Sequence, residues 1–216
     1  LSNFPAINTT FLNKLNLDIP TTLDGVGDYL RSATSTDLNN DGSNEYGFSF
    51  SDLKRFYYLF GIFGVSWDPV YYIHYLGDDS EFEFAPIMNG TRKALEYFHQ
   101  WYKEGLIDPE IFTQDNQQFK AKGKDQGVAF SIASNYPEIN NGDQSKNEYH
   151  LMKALSGPEG STIWPRNGMI PGYQPGQFFM TSQNSYPEIT LEYIDYWMDN
   201  GENALTVRFG PEEYSW

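Results

Sequence analysis

The run Asp37-Leu38-Asn39-Asn40-Asp41-Gly42-Ser43-Asn44-Glu45 has the sharpest chemical spacing in the chain. Oxygen-bearing side chains stand at its first, third, fifth and ninth positions, and glycine stands at the sixth. A hard cation such as Ca²⁺ takes six to eight oxygen ligands, and alternate residues of a tight loop converge on one point. Glycine allows the sharp turn, and the seventh residue offers its backbone carbonyl, so the run matches the first part of an EF-hand loop. The twelfth position is Phe48 rather than the bidentate glutamate of a complete loop. The plain alternative is a solvated Asn/Asp/Gly turn ahead of a strand. Five consistent positions in nine favour a calcium loop.

Catalytic spacing is absent. His74, His99 and His150 are scattered, with no metal-ligand or triad arrangement, and there is no nucleophile elbow, P-loop or dinucleotide fingerprint. The acidic residues Asp78, Asp79, Glu81, Glu83, Asp108 and Glu110 could supply a glycosidase pair, but each has an ordinary place at a turn or helix start. The aromatics say more. Trp101 and Trp197 fall on helical apolar faces and read as core, whereas Trp67, Trp164 and Tyr173 lie in loops that no core periodicity demands. Flat aromatic faces at strand ends are surfaces on which sugar rings stack. Ser134, Asn135 and Arg166, also in loops after strands, would take the hydroxyls.

The elements that must position these groups interleave. Helices are expected over 6–17, 23–35, 53–63, 91–104, 109–122, 187–199 and 203–209 from apolar spacing and caps. Strands are expected at 46–50, 71–76, 82–86, 127–132, 150–155 and 177–181, and a polar loop over 135–147. Alternation of this kind predicts an α/β domain with a small central sheet flanked by helices, in one lobe over 1–216.

Composition bounds the partners. Fourteen Lys and Arg against 29 Asp and Glu leave a net charge of −15 on 216 residues. That charge repels phosphate backbones and anionic lipid, so neither nucleic acid nor a membrane surface is an expected partner. The absence of cysteine excludes disulfides, Cys-ligated metals and a Cys nucleophile. No apolar run reaches the ~18 residues of a membrane span. Nothing in the sequence calls for more than a monomer.

Several runs together resemble the extracellular solute-binding proteins, family 1, of bacterial ABC importers. They are Ile7-Asn8-Thr9-Thr10-Phe11-Leu12-Asn13-Lys14-Leu15-Asn16-Leu17-Asp18-Ile19-Pro20-Thr21-Thr22-Leu23-Asp24, the acidic loop running into Tyr46-Gly47-Phe48, and Tyr102-Lys103-Glu104-Gly105-Leu106-Ile107-Asp108-Pro109-Glu110. Leu155-Ser156-Gly157-Pro158-Glu159-Gly160 and Phe209-Gly210-Pro211-Glu212-Glu213-Tyr214-Ser215-Trp216 follow in the same order. The resemblance implies a periplasmic-binding-protein-like (type II) lobe that catches an oligosaccharide or other small solute against a second lobe and delivers it to permease subunits, without catalysis. Family members with these motifs are mostly cell-surface lipoproteins of Gram-positive bacteria, roughly twice this length. The resemblance therefore implies mainly the second lobe, with the first lobe, signal and lipid anchor absent here. A related group of alginate-oligosaccharide binders implies a structural Ca²⁺ held by Asp37, Asn39, Asp41 and Glu45 side chains and by the Ser43 carbonyl. Tyr46 replaces a further carboxylate of that group. Alternatives from other classes are a secreted glycoside hydrolase fragment and a carbohydrate-binding module; the helices argue against the usual β-sandwich of the latter.

Overall fold

The computed structural model describes residues 3–66, 72–74, 82–133, 139, 149–164 and 179–198. The chain divides into two compact units, residues 1–168 and 169–216.

In the first unit, strand β1 (Phe4–Asn8) precedes helix α1 (Thr9–Leu15), where one helix over 6–17 is predicted. Four of the five β1 residues are buried, so there is no in/out alternation from which to read a strand. Asn8 ends β1 and caps α1, its Oδ1 accepting from the Phe11 N–H at 3.1 Å. Thr22 likewise caps α2 (Leu23–Ala33), whose buried stripe is Leu23, Val26, Tyr29, Leu30 and Ala33. β2 (Tyr46–Phe48) follows the acidic loop, and Asp52 then caps a helix over Leu53–Phe63 that is wound as 3₁₀. β3 (Ile73–His74) and β4 (Glu83–Phe84) form the small predicted hairpin.

Helix α3 (Asn89–Lys103) begins two residues before the expected start at 91; Met88 is its cap, and no side chain caps the first turn. The helix predicted over 109–122 is broken into a 3₁₀ turn (Pro109–Phe112) and α4 (Asn116–Ala121). The break is chemical, because Asp115 starts a capping box with Gln118 and so opens a new helix. A π turn (Lys122–Gln126) leads into β5 (Val128–Ala133), and β6 (Tyr149–Leu151) follows.

The sheet order is β2-β5-β1-β6. β1 runs antiparallel to β5 and to β6, while β2 and β5 are parallel. The connection from β2 to β5 carries α3 and α4, as a parallel crossover requires. One side of the sheet is packed with rings: Phe48 lies 5.1 Å from Phe50 and 5.3 Å from Phe130 between centroids, and Phe98 lies 5.4 Å from Trp101. Trp101 is 1% exposed, the core position its helical spacing predicts. A second, smaller cluster centres on Phe119, Val128, Ile139 and Tyr149.

β2 is fastened to the turn after α3 by a buried polar knot. Asp108 Oδ2 accepts from Ser49 Oγ and from Lys122 Nζ, both at 2.7 Å, and Lys122 lies over the Tyr46 ring, 4.5 Å from its centroid. Burial lowers the Lys122 pKa, and its bonds to Asp108 and Glu110 more than reverse that, so the net shift is upward.

In the second unit the described residues form α5 (Pro187–Met198), preceded by a turn in which Asn184 bonds Tyr186 N and Thr190 Oγ1. Residues 179–181 are irregular where a strand is predicted. The expected helix over 203–209, the Trp197 side chain and all of the 135–147 loop except Ile139 lie outside the described residues.

Candidate functional site

Two groups of residues carry chemistry. The first is the acidic loop, folded so that its oxygens turn inward. Asp37 Oδ1 accepts from Asp41 N at 3.2 Å and its Oδ2 from Gly42 N at 3.0 Å. Asn39 Oδ1 accepts from Asp41 N and Asp41 Oδ1 from Ser43 N, at 2.9 and 2.8 Å. Gly42 takes φ +91°, the sharp turn its position predicts, and Asn40 shares the left-handed region at φ +62°. Glu45, 5% exposed, clamps the loop's start by accepting from Leu38 N and Asn39 N at 2.8 and 2.7 Å. Lys14 reaches into the loop, but bonds the Leu38 carbonyl rather than a carboxylate.

The side chains of Asn39, Asp41 and Glu45 meet directly. The Asn39 amide nitrogen donates to Asp41 Oδ2 at 3.0 Å and to Glu45 Oε2 at 3.3 Å. A partial positive charge therefore stands between two carboxylates, where a cation would stand. Burial pushes the Glu45 carboxyl up to about 7; the Asn39 and Leu38 N–H groups pull it down, and the Asp41 and Asp37 charges add to the rise. Among the described residues no Lys or Arg pairs with any of the three acids, and no three His, Asp or Glu side chains converge as a complete metal cluster. Hard divalent cations take oxygen donors of this kind, an Asn side chain and a backbone carbonyl included.

The second group sits where the parallel strands β2 and β5 end. Ligands of open α/β sheets bind outside the carboxyl ends of the strands. Three segments meet there. From the 3₁₀ helix, Arg55 Nη1 donates to the Ile132 carbonyl at 2.7 Å, and Tyr58 packs its ring 5.8 Å from that of Trp164 at 31°. From the start of β1, the Asn3 carbonyl accepts from Trp164 Nε1 at 2.6 Å. The third segment, 157–164, carries Trp164 along the outside of the 3₁₀ helix, held by Ser161 Oγ on the Gly61 carbonyl at 3.0 Å. Gly157 makes this track possible: a Cβ there would fall 2.0 Å from the Ile62 carbonyl oxygen.

Trp164 is thus fixed by its nitrogen and one ring neighbour, and is half-buried rather than sealed in the core. The Tyr58 hydroxyl is buried beside Asn3 and makes no hydrogen bond of good geometry. Burial raises its pKa; Asn3 and the positive charge of Arg55 oppose the rise, which places that guanidinium close by. A ring platform, an arginine and an asparagine within one corner can hold a polyhydroxylated ligand by stacking and hydrogen bonds.

Of the sequence-predicted ligand residues, the structure places Trp164 in this corner; Trp67, Tyr173, Ser134, Asn135 and Arg166 lie outside the described residues. Asn3, Arg55 and Tyr58 escape the sequence reading. The one available signal is a basic pair, Lys54-Arg55, opening an otherwise apolar helix. Of the three histidines, His74 is buried and accepts from Ser66 N at 2.9 Å, while His99 and His150 are exposed. An apolar hollow of about 520 Å³ also lies between the 3₁₀ helix and α3, walled by Phe50, Leu53, Phe56, Leu95, Phe98 and Phe112. It has few polar atoms to meet hydroxyls, and its chemistry does not suit a sugar.

No family model matches the chain. A curated relative does: the fructooligosaccharide ABC transporter substrate-binding protein FusA of Streptococcus pneumoniae is 31% identical over 196 residues, 88% of this chain and 35% of that protein. The solved structure of S. pneumoniae FusA in complex with kestose superposes with TM-score 0.68 and 26% identity, covering 78% of this chain and 34% of that one. A FusA EF-hand mutant in complex with fructo-nystose superposes with TM-score 0.71 and 24% identity over 97% of this chain and 42% of the other. The fold is that of periplasmic-binding-protein-like solute-binding proteins, as the sequence predicts. The chain spans about a third of the length of the curated relative it matches.

Proposed function

From its kinship with the sugar-binding proteins of ABC transporters, we propose that this chain is a ligand-binding lobe of an extracellular oligosaccharide receptor that serves an ABC importer. The observation that carries the reading is the 31% identity to a fructooligosaccharide-binding protein across 88% of the chain. The corner at the ends of β2 and β5 supports it, because Trp164 is held there with its ring half-exposed. In this reading Trp164 is a stacking platform, with Trp67 and Tyr173 as further rings and Ser134, Asn135 and Arg166 as polar contacts. The lobe acts by closing with a second lobe around the sugar, and the closed form is what the permease recognises. No bond is made or broken, and the working form is a monomer on the cell surface.

The loop Asp37–Glu45 holds a structural Ca²⁺ in the same reading. Asp37, Asn39, Asp41 and Glu45 supply side-chain oxygens and Ser43 its carbonyl. Two features support this: the inward turn of the loop's oxygens, and the EF-hand that the FusA mutant's description attests for that relative. When bound, the ion would supply the positive charge that Asp37, Asp41 and Glu45 do not receive from any Lys or Arg among the described ion pairs.

Thermal unfolding in EDTA, in Ca²⁺, and in Ca²⁺ with kestose, fructo-nystose, maltotriose or laminaribiose tests both parts. A ligand that binds only the folded state raises Tm with concentration. A Ca²⁺-dependent rise and a further rise with one sugar class are expected. A Tm indifferent to Ca²⁺ makes the loop an ordinary turn, and a full-length gene product indifferent to every sugar removes the receptor reading.

A further inference from the structure

We propose that Tyr58 is a positioning residue for the sugar: its ring backs one face of the Trp164 indole and so sends the ligand to the opposite face. This rests on the receptor reading and names the residue that orients the platform. Two constraints of different kinds meet on Trp164. The 2.6 Å bond from its Nε1 to the Asn3 carbonyl holds one edge of the indole, but a single hydrogen bond leaves the ring free to rock about it. The Tyr58 ring removes that freedom. The two ring planes are inclined by 31°, with their centroids 5.8 Å apart. Rings lying edge to edge in one plane stand about 6.3 Å apart or more, so these two overlap as an offset stack. One indole face is therefore occupied by Tyr58, and the half-buried Trp164 presents the other.

The backing ring is itself firmly held. Tyr58 is 7% exposed and belongs to the main core cluster. It stands on the same 3₁₀ helix that anchors the segment carrying Trp164, through Ser161 on the Gly61 carbonyl and Gly157 against the Ile62 carbonyl. Backing ring and platform are thus fixed to one element. The hydroxyl takes no part: it is buried without a hydrogen-bond partner, so phenylalanine would serve the fold at least as well. What matters is the flat ring, whose shape an aliphatic side chain does not reproduce.

The test is calorimetric titration of the full-length gene product, with Tm measured alongside, in wild type, Tyr58→Phe, Tyr58→Leu, Trp164→Ala and the double variant Tyr58→Leu/Trp164→Ala. The probe is kestose, or whichever of fructo-nystose, maltotriose and laminaribiose the wild type binds. Tyr58→Phe is expected to keep wild-type affinity with an unchanged or higher Tm, and Tyr58→Leu to lose about 5-fold in affinity. The double variant is expected to bind no worse than Trp164→Ala. That last result separates positioning from a general loosening of the fold, which would lower affinity by the same factor with or without the indole. Tyr58→Met, flexible and of similar reach, takes the place of Tyr58→Leu in the cycle if the leucine variant does not fold. Wild-type affinity in the aliphatic variant, an equal loss in both backgrounds, or a loss in Tyr58→Phe overturns the assignment of Tyr58 alone. No binding of any oligosaccharide by the wild type overturns the receptor reading and this inference with it.

Discussion

Trp164 and Lys122 show how differently single side chains serve this molecule. Trp164 is held by one hydrogen bond and one ring contact at the rim of the core, an arrangement that fixes an aromatic face without burying it. Truncation to alanine is expected to lower sugar affinity at least tenfold, a loss of about 1.4 kcal/mol or more. Trp164→Phe should recover part of it, since a ring remains but the bond to Asn3 does not. Titration of both variants decides the matter; equal affinities in all three proteins would place the sugar elsewhere. Lys122 serves the fold instead. Asp108, 2% exposed, accepts hydrogen bonds from it and from Ser49. Lys122→Met leaves that carboxylate buried with a weaker shell, at a cost of about 3 to 5 kcal/mol, and urea unfolding should show it as a lowered midpoint with an unchanged slope.

At the scale of elements, the track 157–164 is the part on which the corner depends. Gly157 touches the Ile62 carbonyl and Ser161 bonds Gly61, so the segment follows the 3₁₀ helix until Trp164 meets Tyr58. Gly157→Ala must push the backbone away by more than an ångström. It is expected to reduce both Tm and sugar affinity, whereas Trp164→Ala reduces affinity more than Tm; a Gly157→Ala protein with wild-type affinity would mean the track does not set the platform. Much of the element plan was legible in the sequence. The caps at Thr22 and Asp52, the strand at Val128 and the long helix α3 rest on local chemistry that spacing displays, whereas the cap at Asp115 that breaks the helix expected over 109–122 was missed. β1 was not legible, because a strand buried on both faces and opened by Phe4-Pro5 shows neither alternation nor β-branched enrichment. Tyr58 and Asn3 were hidden for another reason: their meeting with Trp164 joins positions more than 100 residues apart, a product of packing and not of periodicity.

For the whole molecule, an acidic composition, a small mixed sheet and a rim of aromatic and polar groups suit the proposed role as one lobe of a two-lobe receptor. The chain spans about a third of the relative it matches, and enclosure of a ligand by two lobes is the usual source of affinity in such architectures. The 216 residues alone are therefore expected to bind oligosaccharide much more weakly than the full-length gene product, a comparison calorimetry makes directly. The calcium proposed for the acidic loop belongs at this scale too. Its loop joins α2 to β2, so ion binding should raise the Tm of the first unit, and Asp37→Asn with Asp41→Asn should abolish the rise without unfolding the protein in EDTA. A double variant that still responds to Ca²⁺ would place the ion at other ligands. The central claim is that this protein captures an oligosaccharide and does nothing further to it. Its most direct test is titration of the full-length gene product with kestose and the other oligosaccharides, followed by chromatography of the recovered sugar. The account predicts saturable one-to-one binding of one sugar class, recovered intact; release of shorter sugars, or no heat with any of them, would contradict it.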